Sequence, residues 1–215
     1  MDTNLFRAWI TLAAGVIEVN RDHLTQLDAA IGDADHGINL ARGFAAVLAA
    51  LDAKPAATPG AVLTLTGATL ISKVGGASGP LYGMAFRRAG QALGGAEEVS
   101  LPALGQALEA ALAGVRQLGA AREGDKTMVD ALAPATRAFA KAVAEGATRA
   151  DVLAATATAA AEGAAATVSM QARKGRASYL GPRSVGHEDP GAASTVLILT
   201  ALRDAASRDA GTGAP

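Results

Sequence analysis

The sequence predicts an all-α protein, and three observations carry that expectation. Half of its 215 residues are hydrophobic but only 3% are aromatic, and alanine, the strongest helix former, supplies much of the remainder. Residues that favour strands, β-branched and aromatic, are too sparse and scattered to build many of them. Apolar side chains recur at steps of three and four, the period of a helix with one buried face.

Leu5, Trp9, Leu12, Val16 and Val19 mark the first helix, with Thr3 placed to cap it and its end expected at residues 20–23. Leu24, Leu27 and Ile31 carry the period a turn or two further, until the Gly- and Asp-rich run at 31–37 breaks it. A second helix is expected over 39–53. Pro55, Pro59 and Gly60 then form a turn, and a third helix over 61–74 ends at Gly75 and Gly76. Ser78 caps a fourth that reaches Gly94. Ser100 and Pro102 open a fifth, with Leu104, Leu108, Leu112 and Val115 on its buried face and Gly119 at its end. Asp125 caps a sixth carrying Met128, Leu132, Ala135 and Phe139, and Thr148 begins a long Ala-rich seventh running toward Arg173. Residues 173–191 have no periodicity, and a connection of that length inside a compact domain is usually functional. Asp189 and Pro190 are the cap and first residue of an eighth helix. The expectation is eight helices in one domain over residues 1–210, followed by a frayed tail at 211–215.

Nineteen basic against twenty acidic residues leave a net charge of −1, which gives no pull toward nucleic acid or anionic lipid. With no cysteine, disulfides and thiolate chemistry are excluded, and carboxylates and histidines remain as metal ligands. The acidic amino terminus does not read as a signal peptide, and no purely apolar run approaches the ~20 residues that span a bilayer. A cytoplasmic protein is expected.

The chemistry gathers in the connections. Asp28, Asp33 and Asp35, with Gly32 and Gly37 between and beside them, form a dense carboxylate group that suits Mg²⁺, although Asp33 and Asp35 serve equally as helix caps. The spacing excludes an EF-hand, because position twelve is Phe44. Residues 75–83 read either as an amide-rich phosphate turn assisted by Ser78 or as a tight helix crossing. Residues 119–127 are not a Walker A loop, because Asp125 stands between Gly124 and Lys126; a capped helix start beside a lysine remains. Arg173, Lys174, Arg176 and Arg183 concentrate positive charge that fits a polyphosphate or simply a solvated loop. His36 and His187 are candidate ligands or bases, or hydrogen-bonded structural residues; His23 carries no signal. Together these parts fit a magnesium–nucleotide site.

Residues 32–40 (GDADHGINL), 75–84 (GGASGPLYGM), 124–135 (GDKTMVDALAPA) and 172–194 (ARKGRASYLGPRSVGHEDPGAAS) resemble, in order, the motifs of the L subunit of dihydroxyacetone kinase, the ADP-binding subunit. The resemblance implies an antiparallel eight-helix barrel with a nucleotide, ADP or ATP, and two Mg²⁺ ions at one end. It implies Asp28, Asp33 and Asp35 as metal carboxylates; His36, Gly37, Ile38 and Asn39 as a nucleotide-contacting turn; and Ala77 and Ser78 as the phosphate turn. Gly119 and Met128 fall near the adenosine, and Arg176, Asp189, Pro190 and Gly191 on a closing loop, with Arg176, Asp33 and Asp35 serving catalysis. Ala34 stands where the family usually has glycine, which is tolerable if its φ stays negative. The implied reaction is phosphoryl transfer to dihydroxyacetone held covalently on a separate K subunit. The donor is a phosphotransferase-system M subunit recharging bound ADP, or ATP that exchanges. Another ketose as acceptor, a nucleotide-loaded regulator of a transcription factor, and a homodimer all stay open.

Overall fold

A computed structural model describes residues 1–212 and side chains through Asp209. Nine α-helices and two 3₁₀ segments make up the regular structure of those residues, with no strand among them. The helices are α1 (Thr3–Val19), α2 (Arg21–Ile31), α3 (His36–Ala53), α4 (Pro59–Lys73), α5 (Ser78–Leu93), α6 (Leu101–Gly119), α7 (Val129–Ala144), α8 (Arg149–Ala166) and α9 (Pro190–Thr212). The 3₁₀ segments, Thr167–Ser169 and Arg176–Ser184, lie between α8 and α9.

Where expectation and structure differ, local hydrogen bonding explains the difference. Asp2 caps α1 in place of Thr3: its carboxylate accepts the Leu5 amide at 2.9 Å, while the Thr3 hydroxyl donates to Ala57 O. The first apolar period is cut in two at Asn20, whose side chain and backbone amide both donate to Val16 O, so α2 is a separate helix. Helix α3 begins at His36, three residues early, because Asp28 receives its first amides. Thr58 caps α4 and draws Pro59 and Gly60 into it. Ser78 is the first residue of α5 and donates to Gly75 O; it does not cap. Asp125 caps nothing either, since its carboxylate accepts the Arg122 amide and α7 starts four residues later. Ser100, Thr148 and Asp189 cap as expected. Helix α8 stops at Ala166, where the Thr167 hydroxyl turns back to Ala164 O, well before Arg173. Helix α9 continues to Thr212, two residues into the segment expected to fray, and residues 213–215 lie outside the described residues.

Helices α1, α3, α4, α5, α6, α7, α8 and α9 pack each on the next, and α9 closes on α1, making a ring of eight with α2 laid against α3 and α9. Short connections make neighbours antiparallel. In the α4–α5 pair, Gly60 faces Gly90 and Gly94 while Gly67 faces Gly83, at distances where a Cβ on Gly67 would come within 2.5 Å of Gly83 O. The core is largely aliphatic, with a buried aromatic chain of Phe6, Trp9, Phe86 and Phe44 tying α1, α5 and α3 together. By length and composition, residues 149–169 alone among the described residues could cross a bilayer. Here Val152, Leu153, Ala157 and Ala160 of that stretch are buried, and α8 packs between α7 and α9.

Alternation around the ring sends the α2–α3, α4–α5, α6–α7 and α8–α9 connections to one end. The Met1 amine meets Val99 O and Thr3 meets Ala57 O, so the remaining connections sit at the other. Because α4 and α5 carry the 75–78 turn to the first end, their close approach matters to it. Gly67→Ala should force them apart and lower stability by about 1–3 kcal/mol in urea denaturation. An unchanged midpoint would contradict the packing.

Candidate nucleotide site

Asp28 lies in the last turn of α2 and is buried; its Oδ2 accepts the amides of Asp35 (2.9 Å) and His36 (3.1 Å), folding the loop back over the helix that precedes it. Gly32 is needed at the turn, because a Cβ there would lie 2.0 Å from Asp28 Oδ1. Carboxylate oxygens of Asp28, Asp33 and Asp35 all come within 4.8 Å of one another. Burial, and then the charge of Asp33, push the Asp35 carboxyl above its ordinary range. Arg176 answers part of that charge, its Nε forming an ion pair with Asp33 Oδ2 at 3.0 Å. Hard oxygen donors that crowd and repel one another in this way suit a Mg²⁺ ion. Ala34 lies in the left-handed region at φ 62°, so the expected negative φ is not met.

The acidic group opens onto a cavity of about 280 Å³. One wall is the α4–α5 turn, Gly76 to Ser78. Ala77 before α5 gives its helix no side-chain cap, so α5 begins at the cavity with amides available to an anion, whereas the Asp35 and His36 amides that open α3 are already taken by Asp28. Opposite, Leu81, Val115, Gly119, Ala121 and Met128 form a mainly apolar face. The α8–α9 connection covers the mouth with Lys174, Arg176 and Ala177, and the α9 start adds Asp189, Pro190 and Gly191.

The floor is a web of hydroxyls. Tyr82, Ser194 and His36 meet in sequence, with Tyr82 Oη 2.7 Å from Ser194 Oγ and Ser194 Oγ 2.8 Å from His36 Nε2. Tyr82 Oη also donates toward Gly191 O at 2.8 Å and lies 2.9 Å from Thr195 Oγ1. Burial lowers the His36 imidazole to about 4, keeping it neutral near pH 7, and raises the Tyr82 phenol. Burial likewise raises Asp189 to about 7, against the Ala192 amide and the Lys126 ammonium that favour its charged form.

Asp28, Asp33, Asp35, His36, Ala77, Ser78, Gly119, Met128, Arg176, Asp189, Pro190 and Gly191 thus come to one cavity, as a group assembled from four connections. Gly37, Ile38 and Asn39 do not line it. Gly37 packs against Arg21 O, Ile38 is half exposed, and Asn39 accepts from Arg42 Nη2 at 2.8 Å while bonding to Asp35. Of the basic residues in the α8–α9 connection, Arg173 and Arg183 stay exposed and only Lys174 and Arg176 reach the cavity, which Lys126 also lines from the α6–α7 loop. His187 is exposed. Tyr82 and Asp130 carried no signal at the level of spacing. Asp130, not Asp125, organises the α6–α7 loop, accepting the Gly124 and Thr127 amides.

The model of the DAK2 domain matches residues 30–204. The chain is 42% identical over 198 residues to the ADP-binding subunit DhaL of the PEP-dependent dihydroxyacetone kinase of Escherichia coli (strain K12), covering 92% of this chain and 94% of that one. It is 36% identical over 182 residues to triokinase/FMN cyclase of Homo sapiens, of which it spans 31%. The crystal structure of the C. freundii dihydroxyacetone kinase in complex with AMP-PNP and Mg²⁺ superposes with a TM-score of 0.67 at 29% identity, over 91% of this chain and 33% of that chain. The chain therefore spans about a third of these longer relatives.

The left-handed Ala34 gives a direct check on the loop. Ala34→Gly should remove the strain of a methyl at positive φ, less the entropy that glycine adds to the unfolded chain, for a net gain of up to about 1 kcal/mol. The urea midpoint should rise; a fall would place Ala34 at negative φ.

Proposed function

The chain belongs to the DAK2-domain family, and from that premise we propose that it is the cytoplasmic nucleotide-binding subunit of a dihydroxyacetone kinase, transferring a phosphoryl group from bound nucleotide to dihydroxyacetone. The observation that carries this reading is one cavity holding three clustered carboxylates, a helix start with free amides and a reaching arginine. Similarity to DhaL along nearly its whole length supports a subunit role. The nucleotide and Mg²⁺ in the C. freundii complex support the ligand class.

In this reading Asp28, Asp33 and Asp35 hold two Mg²⁺ ions, whose chemistry is to neutralise phosphate charge and polarise the transferring group. The open amides at the start of α5 orient phosphate oxygens, and the apolar face of Leu81, Val115 and Met128 receives the base. Arg176 exchanges its bond to Asp33 for the charge on the transferring group. As the acceptor hydroxyl bonds to phosphorus, the bond to the nucleotide oxygen breaks. The hydroxyl proton goes to a base on the K subunit, which holds the sugar, since the cavity presents His36 already committed to Ser194. A phosphotransferase-system M subunit would then recharge the bound ADP.

Nucleotide content separates this donor from direct use of ATP, which the AMP-PNP bound in the C. freundii complex also allows. Protein denatured after purification should release ADP that labelled ATP had not displaced beforehand. Free exchange would make ATP the substrate, and absence of nucleotide even with Mg²⁺ would overturn the site. Asp33→Asn should abolish turnover with a K subunit; full activity would remove Asp33 from the metal site.

A further inference from the structure

The segment between α8 and α9 leaves and re-enters the ring at one point. The Gly186 amide donates to Val168 O at 2.8 Å and closes the loop 168–186. One residue outside each end, Thr167 O and His187 O both accept from Lys126 Nζ, the first at 2.6 Å. The same α6–α7 loop takes a further grip, Asp125 O accepting the Arg173 amide at 3.0 Å. On the far side, Ala172, Ala177 and Leu180 pack on Ile31 at the end of α2. Arg176 lies between these two anchors.

Lys126 is unusual on two counts. It is 1% exposed, and its backbone lies in the left-handed region at φ 62°. A buried ammonium is costly unless its donors are used, and a side chain at positive φ adds strain. A residue carrying both persists where its surroundings over-determine it, commonly at functional sites. What its charge accomplishes here is to join two main-chain segments with only 3₁₀ segments between them.

We propose that Lys126 is a positioning residue for the nucleotide site, its ammonium holding both stems of the 168–186 loop and so holding Arg176 over the acidic group. This rests on the reading of Arg176 as a nucleotide contact. A lysine acting through Arg176 has no separate effect once that arginine is gone, whereas a direct phosphate contact or a general support does.

The test is the rate at which ADP leaves the Mg²⁺-loaded chain. Lys126→Met should speed release by about tenfold or more in the native background, the equivalent of one good hydrogen bond, and by less than about twofold when added to Arg176→Ala. An equal factor in both backgrounds, or no effect in the native one, overturns the proposal. If Arg176→Ala alone leaves release unchanged, the failure lies in the reading of Arg176. Hydrogen exchange on the unaltered chain stands even where Lys126→Met does not fold. The Arg173 and Gly186 amides should be as protected as core helix amides with and without ADP and Mg²⁺, and exchange as fast as at Tyr179 would equally overturn the pin.

Discussion

Closure of the ring is the constraint from which the site follows. An even number of helices, each antiparallel to its neighbours, sends alternate connections to the same end, and α9 packing on α1 fixes that parity. The carboxylates after α2, the turn before α5, the loop before α7 and the start of α9 are far apart in sequence. They become one cavity because the ring closes with no strand among the described residues to redirect them. The small side chains serve the same end: glycine against glycine between α4 and α5 sets a close spacing that larger residues would not permit.

Within the cavity the balance is electrostatic. Three carboxylates sharing a few ångströms are held by backbone amides at Asp28 and by one arginine at Asp33, and burial together with the remaining repulsion from Asp33 raises Asp35. Such a group favours a divalent cation because the cation removes a cost already present in the fold. The hydroxyl web beneath acts differently. It satisfies His36, Tyr82 and the α9 start among themselves, so the floor needs no ligand to be complete.

Much of this was legible in the sequence, and the gaps have local causes. Aliphatic periodicity marked the helices, and Asp189–Pro190 marked the start of α9, because both signals depend on near neighbours. The end of the first helix near Asn20 was legible, but not that residues 21–31 form a helix of their own, since the apolar period runs on through Leu24 and a single side chain turning on Val16 O makes the cut. The α6–α7 loop offered two aspartates five residues apart, and spacing alone favoured Asp125; only the closed loop shows Asp130 collecting the amides. The motif residues of the site were recognisable as a set. Gly37, Ile38 and Asn39 shared that motif yet lie off the cavity, because the first turn of α3 rotates them toward α2, solvent and Arg42.

The single tryptophan has a spectroscopic consequence. Trp9 donates its indole proton to Ile198 O across the α1–α9 seam and rests against Phe6 and Phe86, away from the residues that line the cavity. Its emission is therefore a gauge of whether the first and last helices are joined, and it is largely silent about what occupies the mouth. Opening of the seam and filling of the site are separately observable events in this molecule, the first by intrinsic fluorescence and the second only by a probe carried on the ligand.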